Sequence, residues 1–245
     1  MEVLTILWRE WIFFKRRFWH ITSALIISPL LYIVTFGYGI GDSLIIDGKS
    51  YLFYILPGVI SLTVMRTSYS AIAMRISISR LHEKSFENYI ISPTRMQYLT
   101  LGHVLAGSLR GLYAGFLIVL IVSIFGIYLN VGFVFLGICI LNSLLFSSLG
   151  FIAAMWIDTH YDMNRFTSFV ITPMSFLCGT FFSLEEMPSV LKFIIELLPL
   201  THSTQLLRSV VFGKDLSLKS IIIVVFYILV FFTLSIKVCY REDRS

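Results

Sequence analysis

The chain has 245 residues, of which 57% are hydrophobic and only 13% are charged, with a formal net charge of +5. Its mean hydropathy is +0.87, whereas a soluble domain carries about a quarter charged residues. The composition therefore excludes a soluble globular protein and predicts an integral membrane protein. The cysteines Cys139, Cys178 and Cys239 have neither a disulfide framework nor a zinc-site spacing, so they indicate no function.

Residues 1–19 predict an amphipathic helix. Large apolar side chains recur at helical spacing from Leu4 to Phe18, and Arg9 and Arg16 lie on another face. Such a helix lies in the membrane interface, with its tryptophans at headgroup level. It either only anchors the first span or also offers a docking surface. Since the segment has no basic n-region and no small-residue cleavage site, we do not expect a cleaved signal peptide.

Six stretches are apolar enough to span a membrane, which takes about 20 residues each. They are residues 21–40, 51–74, 99–128, 131–156, 166–182 and 220–236. Only a short turn at residues 128–130 separates the third from the fourth, so these two form a hairpin. The predicted fold class is an all-α integral membrane protein with six transmembrane helices.

The placement of lysine and arginine orients these spans. Outside the spans, twelve Lys and Arg residues fall on the side of the two termini and five on the opposite side. Because cytoplasmic loops carry the excess of positive charge, both termini are predicted to be cytoplasmic. The net positive charge then reflects this bias, and no nucleic-acid partner is expected, since no water-exposed basic domain is present.

Residues 75–98 form the longest polar segment between spans, on the predicted cytoplasmic side. Leu81, Phe86, Tyr89 and Ile90 can form an apolar stripe, and Pro93 ends any helix there. A helix of this composition fits a groove on a soluble partner. The alternative is a solvated loop helix.

Residues 184–216 lie on the opposite side, between spans five and six. Two short helices are predicted there, residues 189–198 after Pro188 and residues 201–212 with Gly213 as a C-terminal stop. Each is too short to span the membrane. We therefore predict a re-entrant helical hairpin that dips into the outer leaflet, where protein covers its backbone.

Two arginines, Arg66 and Arg110, lie inside predicted spans at similar distances from the cytoplasmic ends. A charge in a span is costly and faces the protein interior or a wet cavity. We therefore predict contact with an anionic headgroup of a lipid or a cargo. The alternative is that each arginine binds backbone carbonyls or extends its head to the interface.

Three enzymatic motifs fail on position or completeness. Gly39-Ile40-Gly41-Asp42 resembles an intramembrane aspartyl protease motif, but the other candidate, Asp162, lies on the opposite side of the membrane. Gly48-Lys49-Ser50 lacks the first glycine of a phosphate-binding loop. The five histidines are scattered, so neither a catalytic nor a metal site is predicted.

Two stretches carry a resemblance to a known family. Residues 169–188, FVITPMSFLCGTFFSLEEMP, and the continuation LPLTHSTQLLR at 198–208 resemble the ABC-2 type exporter permeases. The similarity is closest to the nodulation lipo-oligosaccharide exporter permeases, near the polysaccharide and teichoic-acid exporters. Residues 83–87 and 91–94 are similar to the coupling segment of that family.

The resemblance implies a single ABC-2 transmembrane domain over residues 1–245, which works as a homodimer in a bacterial inner membrane. It implies no cofactor in this chain, and ATP with Mg²⁺ in a separate ABC ATPase subunit. The implied coupling surface consists of Glu83, Lys84, Phe86, Glu87, Tyr89 and Pro93. Spans one and five are implied to line the path, with Tyr32, Phe36, Phe169 and Phe176 as wall residues or as ordinary packing.

The implied function is export of an amphipathic or lipid-linked cargo, which is a lipo-oligosaccharide, a polysaccharide or a hydrophobic drug. The chain itself is then a transport subunit and not an enzyme. The alternative is a polytopic membrane enzyme or a scaffold acting on lipid-linked substrates.

Overall fold

A computed structural model describes residues 2–32, 34–35, 45–46, 49–83, 86, 95–182 and 187–242. These residues form ten α-helices, and a two-stranded antiparallel hairpin pairs Ile45–Ile46 with Lys49–Ser50. The helices are α1 (Glu2–Arg16), α2 (Phe18–Tyr32), α3 (Tyr51–Leu81), α4 (Met96–Ile124), α5 (Phe133–Trp156), α6 (His160–Phe166), α7 (Thr172–Leu177), α8 (Ser189–Glu196), α9 (Pro199–Phe212) and α10 (Leu218–Glu242).

The all-helical membrane architecture is confirmed. Four helices, α3, α4, α5 and α10, are long and apolar enough to cross a membrane. Helix α2 is also apolar, but it has only 15 residues. The count of six spans remains a prediction, which requires α2 and the helices of residues 160–177 to complete two further crossings.

Helix α3 lies at the centre of the bundle, packed against α4, α5 and α9. Gly107, Gly111 and Gly115 stand four residues apart on α4 and face α3. A Cβ atom at Gly111 would lie 3.0 Å from the carbonyl oxygen of Val64. Small residues at this spacing let helix backbones approach closely within a membrane, so they set the short distance between α4 and α3.

Two helix ends differ from the prediction. Helix α3 does not end near residue 74 but continues to Leu81, so residues 75–81 are its last turns. Helix α4 ends at Ile124 and not at residue 128. Gly126 has a φ of 80° there, and the N–H of Ile127 donates to the carbonyl of Val122 at 3.1 Å. This is the Schellman geometry that stops a helix at a glycine.

The predicted fifth span begins earlier than residue 166 and is a broken helix. It consists of α6, a π-helical turn at Thr167–Ile171 and α7. Thr159 caps its start by accepting a hydrogen bond from the N–H of Asp162 at 3.1 Å. Pro173 has no N–H and its ring displaces the carbonyl four residues earlier, which accounts for the π turn just before it.

The two short helices predicted between spans five and six lie where the sequence predicts them, as α8 and α9, and Gly213 ends α9 with a φ of 65°. Side chains satisfy the last carbonyls of the short helix α8. Thr201 donates to the carbonyl of Ile195 at 2.8 Å, and His202 Nε2 lies 2.8 Å from that of Glu196. Such capping replaces the hydrogen bonds that a helix end lacks. Their re-entrant position remains a prediction.

Candidate functional site

The N-terminal helix α1 packs along α4 through a face that the sequence analysis did not single out. Ile6 and Glu10 of α1 are buried. A Cβ atom at Gly102 of α4 would lie 2.9 Å from Ile6 Cδ1, so the two helices approach closely at this point. Leu4, Trp8 and Trp11 of the predicted apolar stripe are exposed, as expected for side chains that contact lipid.

Glu10 is the centre of a buried charge cluster. Its side chain is only 4% exposed, and its Oε2 atom accepts a hydrogen bond from Arg110 at 2.8 Å. Arg9 and Arg75 each place a nitrogen 3.6 Å from Oε1. A charge at this burial persists in proteins only when it is paired. The carboxylate therefore ties α1 to both α3 and α4.

A signal for Glu10 was present in the sequence. Ile6, Glu10 and Phe13 follow each other at spacings of four and three, which places them on one face of a helix. The Phe13 ring lies 4.7 Å from the Arg75 guanidinium and 5.2 Å from that of Arg110. The exposed tryptophans dominate the sequence pattern, so this narrower face is easily overlooked.

Arg66 lies in a different environment. It lines a cleft of about 110 Å³ between α2 and α3, together with Ala24, Leu25, Ser28, Pro29, Tyr32, Leu62, Thr63 and Thr67. Its Nε atom donates to Ser175 Oγ at 3.2 Å. Among the described residues no carboxylate pairs with Arg66, and its side chain remains exposed. The guanidinium therefore offers positive charge to the cleft.

Of the predicted wall residues, Tyr32 lines this cleft. The Phe181 ring lies 5.6 Å from that of Tyr32 on α2 and 6.4 Å from that of Phe176 on α7, so it lies next to both side chains. Phe169 is 78% exposed in the π turn. We call half-buried Tyr32 and exposed Arg66, Ser70, Phe169 and Phe176 together the polar–aromatic face. The remaining predicted wall residue, Phe36, is outside the residues that the structure describes.

The outward side of α10 differs in composition from the polar–aromatic face. Between Ile221 and Phe232 every exposed side chain of α10 is apolar, namely Ile222, Val225, Phe226 and Leu229. The polar–aromatic face instead exposes Arg66 and Ser70 beside Phe169 and Phe176. A lipid-facing surface is apolar, whereas polar side chains in spans face protein or water. The polar–aromatic face is therefore not an ordinary lipid-facing surface.

Of the predicted coupling residues, Glu83 and Phe86 are described. Glu83 Oε1 lies 3.7 Å from the same Arg75 that approaches Glu10. Phe86 is only 2% exposed and packs in the core of this chain, so it supports the segment from inside. Lys84, Glu87, Tyr89 and Pro93 are outside the described ranges.

A second charged contact secures the end of α3. Arg80 pairs with Asp158 at 2.5 Å and donates to the carbonyls of Ala154 and Ile157 at 3.3 and 3.2 Å. A cation at a helix C-terminus satisfies free carbonyls and the helix dipole. The ends of α3 and α5 are therefore held together just before the residues that the sequence predicts to couple to a partner.

Known proteins give an independent comparison. A model of the ABC-2 type transporter family matches residues 1–212. The inner membrane transport permease YadH of Escherichia coli K12 is 28% identical over 179 residues, which cover 72% of this chain and 70% of YadH.

Nodulation protein J of Bradyrhizobium diazoefficiens is 29% identical over 189 residues, covering 73% of this chain and 70% of that protein. Nodulation protein J of Neorhizobium galegae is 26% identical over 212 residues, covering 84% and 80%. The family match spans most of the chain, and it agrees with the apolar helical bundle. This protein therefore belongs to the ABC-2 type transporter family.

Proposed function

We propose that this chain is the membrane subunit of an ATP-binding cassette exporter. It moves an amphipathic or lipid-linked cargo, such as a lipo-oligosaccharide, a polysaccharide or a hydrophobic drug, out across a bacterial inner membrane. Two copies form the pathway, and a separate ABC ATPase subunit supplies the energy by hydrolysing ATP with Mg²⁺. Family membership and the names of the relatives, a transport permease and nodulation proteins, support this assignment.

One observation carries the proposal, which is the polar–aromatic face on a bundle whose other flank is apolar. An amphipathic cargo needs both hydrogen-bond donors and apolar surface along its route. Arg66 provides a planar guanidinium that suits a phosphate or carboxylate, and Tyr32, Phe169 and Phe176 provide rings. In the dimer, the two polar–aromatic faces oppose each other and enclose the path.

The two intramembrane arginines have different roles in this proposal. Arg66 contacts the headgroup of the cargo, because its charge has no carboxylate partner among the described residues. Arg110 already pairs with Glu10 at 2.8 Å, so it holds α1 in place. The headgroup role is therefore assigned to Arg66 alone.

Coupling to the ATPase runs through the segment after α3. Glu83, Lys84, Glu87, Tyr89 and Pro93 form the docking surface, and buried Phe86 anchors it. Arg75 lies between Glu83 and Glu10, which gives a physical route from this segment to α1. A movement of the ATPase can shift the membrane helices only if the contacts differ between two states, and a shared arginine allows such a difference.

The proposed topology has six spans, with α2 and the broken helix as the first and fifth. Both termini are cytoplasmic, and α8 and α9 re-enter the outer leaflet. A reporter that fluoresces only in the cytoplasm, fused after residue 245, tests the orientation. Strong fluorescence is expected, and a dark fusion with an active periplasmic reporter at the same site would contradict it.

The direct functional test uses proteoliposomes that contain this chain with an ABC ATPase encoded beside its gene. The probe is a lipo-oligosaccharide labelled on its sugar. ATP-dependent movement of the label is expected, and it should stop when the ATPase carries an inactive nucleotide site. Co-purification without any cargo movement for lipo-oligosaccharide, polysaccharide or hydrophobic dye would instead favour a membrane scaffold.

A further inference from the structure

The groove between α1 and α4 is distinct from the proposed cargo cleft. Leu7, Trp11 and Phe14 form one wall, Leu109 and Tyr113 the other, and Ala106 lies at the back. Its volume is about 200 Å³. These walls are apolar, whereas the cleft at Arg66 includes serine and threonine hydroxyls.

The size of the groove limits its occupant. Apolar cavities of roughly 150 Å³ take up small hydrocarbons such as benzene, and sites for drug-sized molecules begin at about 300 Å³. The groove therefore has room for part of a hydrocarbon chain and not for a sugar-bearing headgroup.

The charged residues at the floor of the groove also favour a hydrocarbon chain as the occupant. Glu10 and Arg110 line it, but they bind each other at 2.8 Å. The Arg110 side chain keeps 13% of its surface exposed. An apolar occupant would cover this remainder and exclude water from the pair, which strengthens the attraction between the charges.

The groove opens onto a surface that already faces lipid. Leu109 is exposed, and the same side of α4 continues through exposed Phe116, Leu120 and Ile124. These positions follow one another at helical spacings along a helix that is long and apolar enough to span the membrane. A chain lying on this stripe can therefore enter the groove without crossing a polar region.

We infer that the groove between α1 and α4 holds an acyl chain of a bilayer phospholipid. Bulk lipid is as apolar as the groove, so burial itself gains little. The gain comes from dispersion contacts with walls that would otherwise face a gap. The chain then acts as packing between α1 and α4.

The test uses the full chain in nanodiscs of phosphatidylcholine that carries a photoactivatable diazirine in mid-chain. After illumination, mass spectrometry locates the lipid adducts. Adducts are expected on Phe14 and Tyr113, which are half-buried and reached through the groove. Exposed Phe226 and Leu229 of α10 serve as the internal reference for ordinary lipid contact.

Two variants fill the groove from opposite walls, Ala106→Phe and Leu7→Trp. Each should lower the adducts on Tyr113 severalfold while the adducts on α10 stay unchanged, which also shows that the variant is inserted. Gly137→Phe is the matched control, because a Cβ atom at Gly137 meets no atom within 4 Å. Wild-type labelling on α10 without any at Phe14 and Tyr113 would overturn the inference, as would labelling that both filling variants leave unchanged. An occupant other than phospholipid would give the first of these results.

Discussion

Arg66 and Arg110 lie at a similar depth in neighbouring helices, and their surroundings differ. A Cβ atom at Gly111, next to Arg110, would lie 3.0 Å from the carbonyl of Val64, two residues before Arg66. Yet Arg110 is paired with a carboxylate beside an apolar groove, and Arg66 lines a cleft with hydroxyls and a tyrosine. The partner of an intramembrane charge therefore indicates which role to test for it, and its depth alone does not.

The largest effect is expected from removing the partner of Arg110. Glu10→Gln leaves Arg110 without its carboxylate partner and Arg75 with only Glu83, at 3.7 Å, and breaking a buried ion pair costs about 3–5 kcal/mol. Thermal unfolding in nanodiscs should show the loss. The double variant Glu10→Leu with Arg110→Leu is expected to be more stable than Glu10→Leu alone. Equal stability of the two would show that Arg110 does not depend on Glu10.

The next effect concerns export and not stability. Arg66→Leu should reduce transport of an anionic lipo-oligosaccharide by about tenfold to a hundredfold. This follows because a hydrogen bond to a charged group contributes about 1.5–3 kcal/mol, and about 1.4 kcal/mol is a factor of ten.

The stability of Arg66→Leu should change by less than about 0.5 kcal/mol, as for most exposed sites. Arg66→Lys keeps the charge without the planar fork, so its activity should be intermediate. Unchanged transport in Arg66→Leu would contradict the proposal that Arg66, and not Arg110, contacts the headgroup of the cargo.

The smallest effect is expected away from both arginines, at His202 of α9. Burial lowers the pKa of His202 below its usual range, and an unfolded histidine titrates near ~6.5. At a pH between these values the unfolded chain binds a proton that the folded chain does not. The stability from this site is therefore fully present above about pH 6.5 and is lost as the pH falls below it toward the depressed pKa.

The groups near His202 support this assignment. Nδ1 lies 3.2 Å from Ser220 Oγ and Nε2 lies 2.8 Å from the Glu196 carbonyl. Lys219 donates to Glu196 at 2.9 Å and lowers the pKa of that carboxylate, so Glu196 stays charged in this range. Thermal unfolding between about pH 7.5 and about pH 5.5 should show the loss, and His202→Gln should reduce it. An equal pH dependence in both proteins would contradict the assignment.

Much of the fold follows from the sequence, because hydropathy and turn residues are local signals. Gly213 was predicted to end α9, and it does so with a left-handed φ. Gly126 ends α4 by the same chemistry, but the apolar run to Tyr128 hid it. Thr159 and Asp162 fit a helix-capping pattern, although the sequence first suggests Asp162 as a candidate protease aspartate.

Contacts between residues that are distant in the sequence are harder to predict from it. Arg66 and Arg110 both stand out in the sequence, but their partners lie 109 and 100 residues away, at Ser175 and Glu10. Residues so far apart in the sequence leave no local spacing pattern from which their pairing could be predicted. Glu10 was missed for a further reason, since one glutamate among exposed tryptophans resembles the polar side of an interfacial helix.

In the proposed exporter, the polar–aromatic face borders a water-filled path and the outward side of α10 borders lipid. Single cysteines at Ser70 and Phe169 on that face, and at Leu229 on α10, can be tested with a membrane-impermeant thiol reagent. The native cysteines Cys139, Cys178 and Cys239 are buried, so background labelling should be low. Rapid labelling at Ser70→Cys and Phe169→Cys with slow labelling at Leu229→Cys is the expected result in reconstituted vesicles opened to both sides. Equally slow labelling at all three positions would contradict the claim.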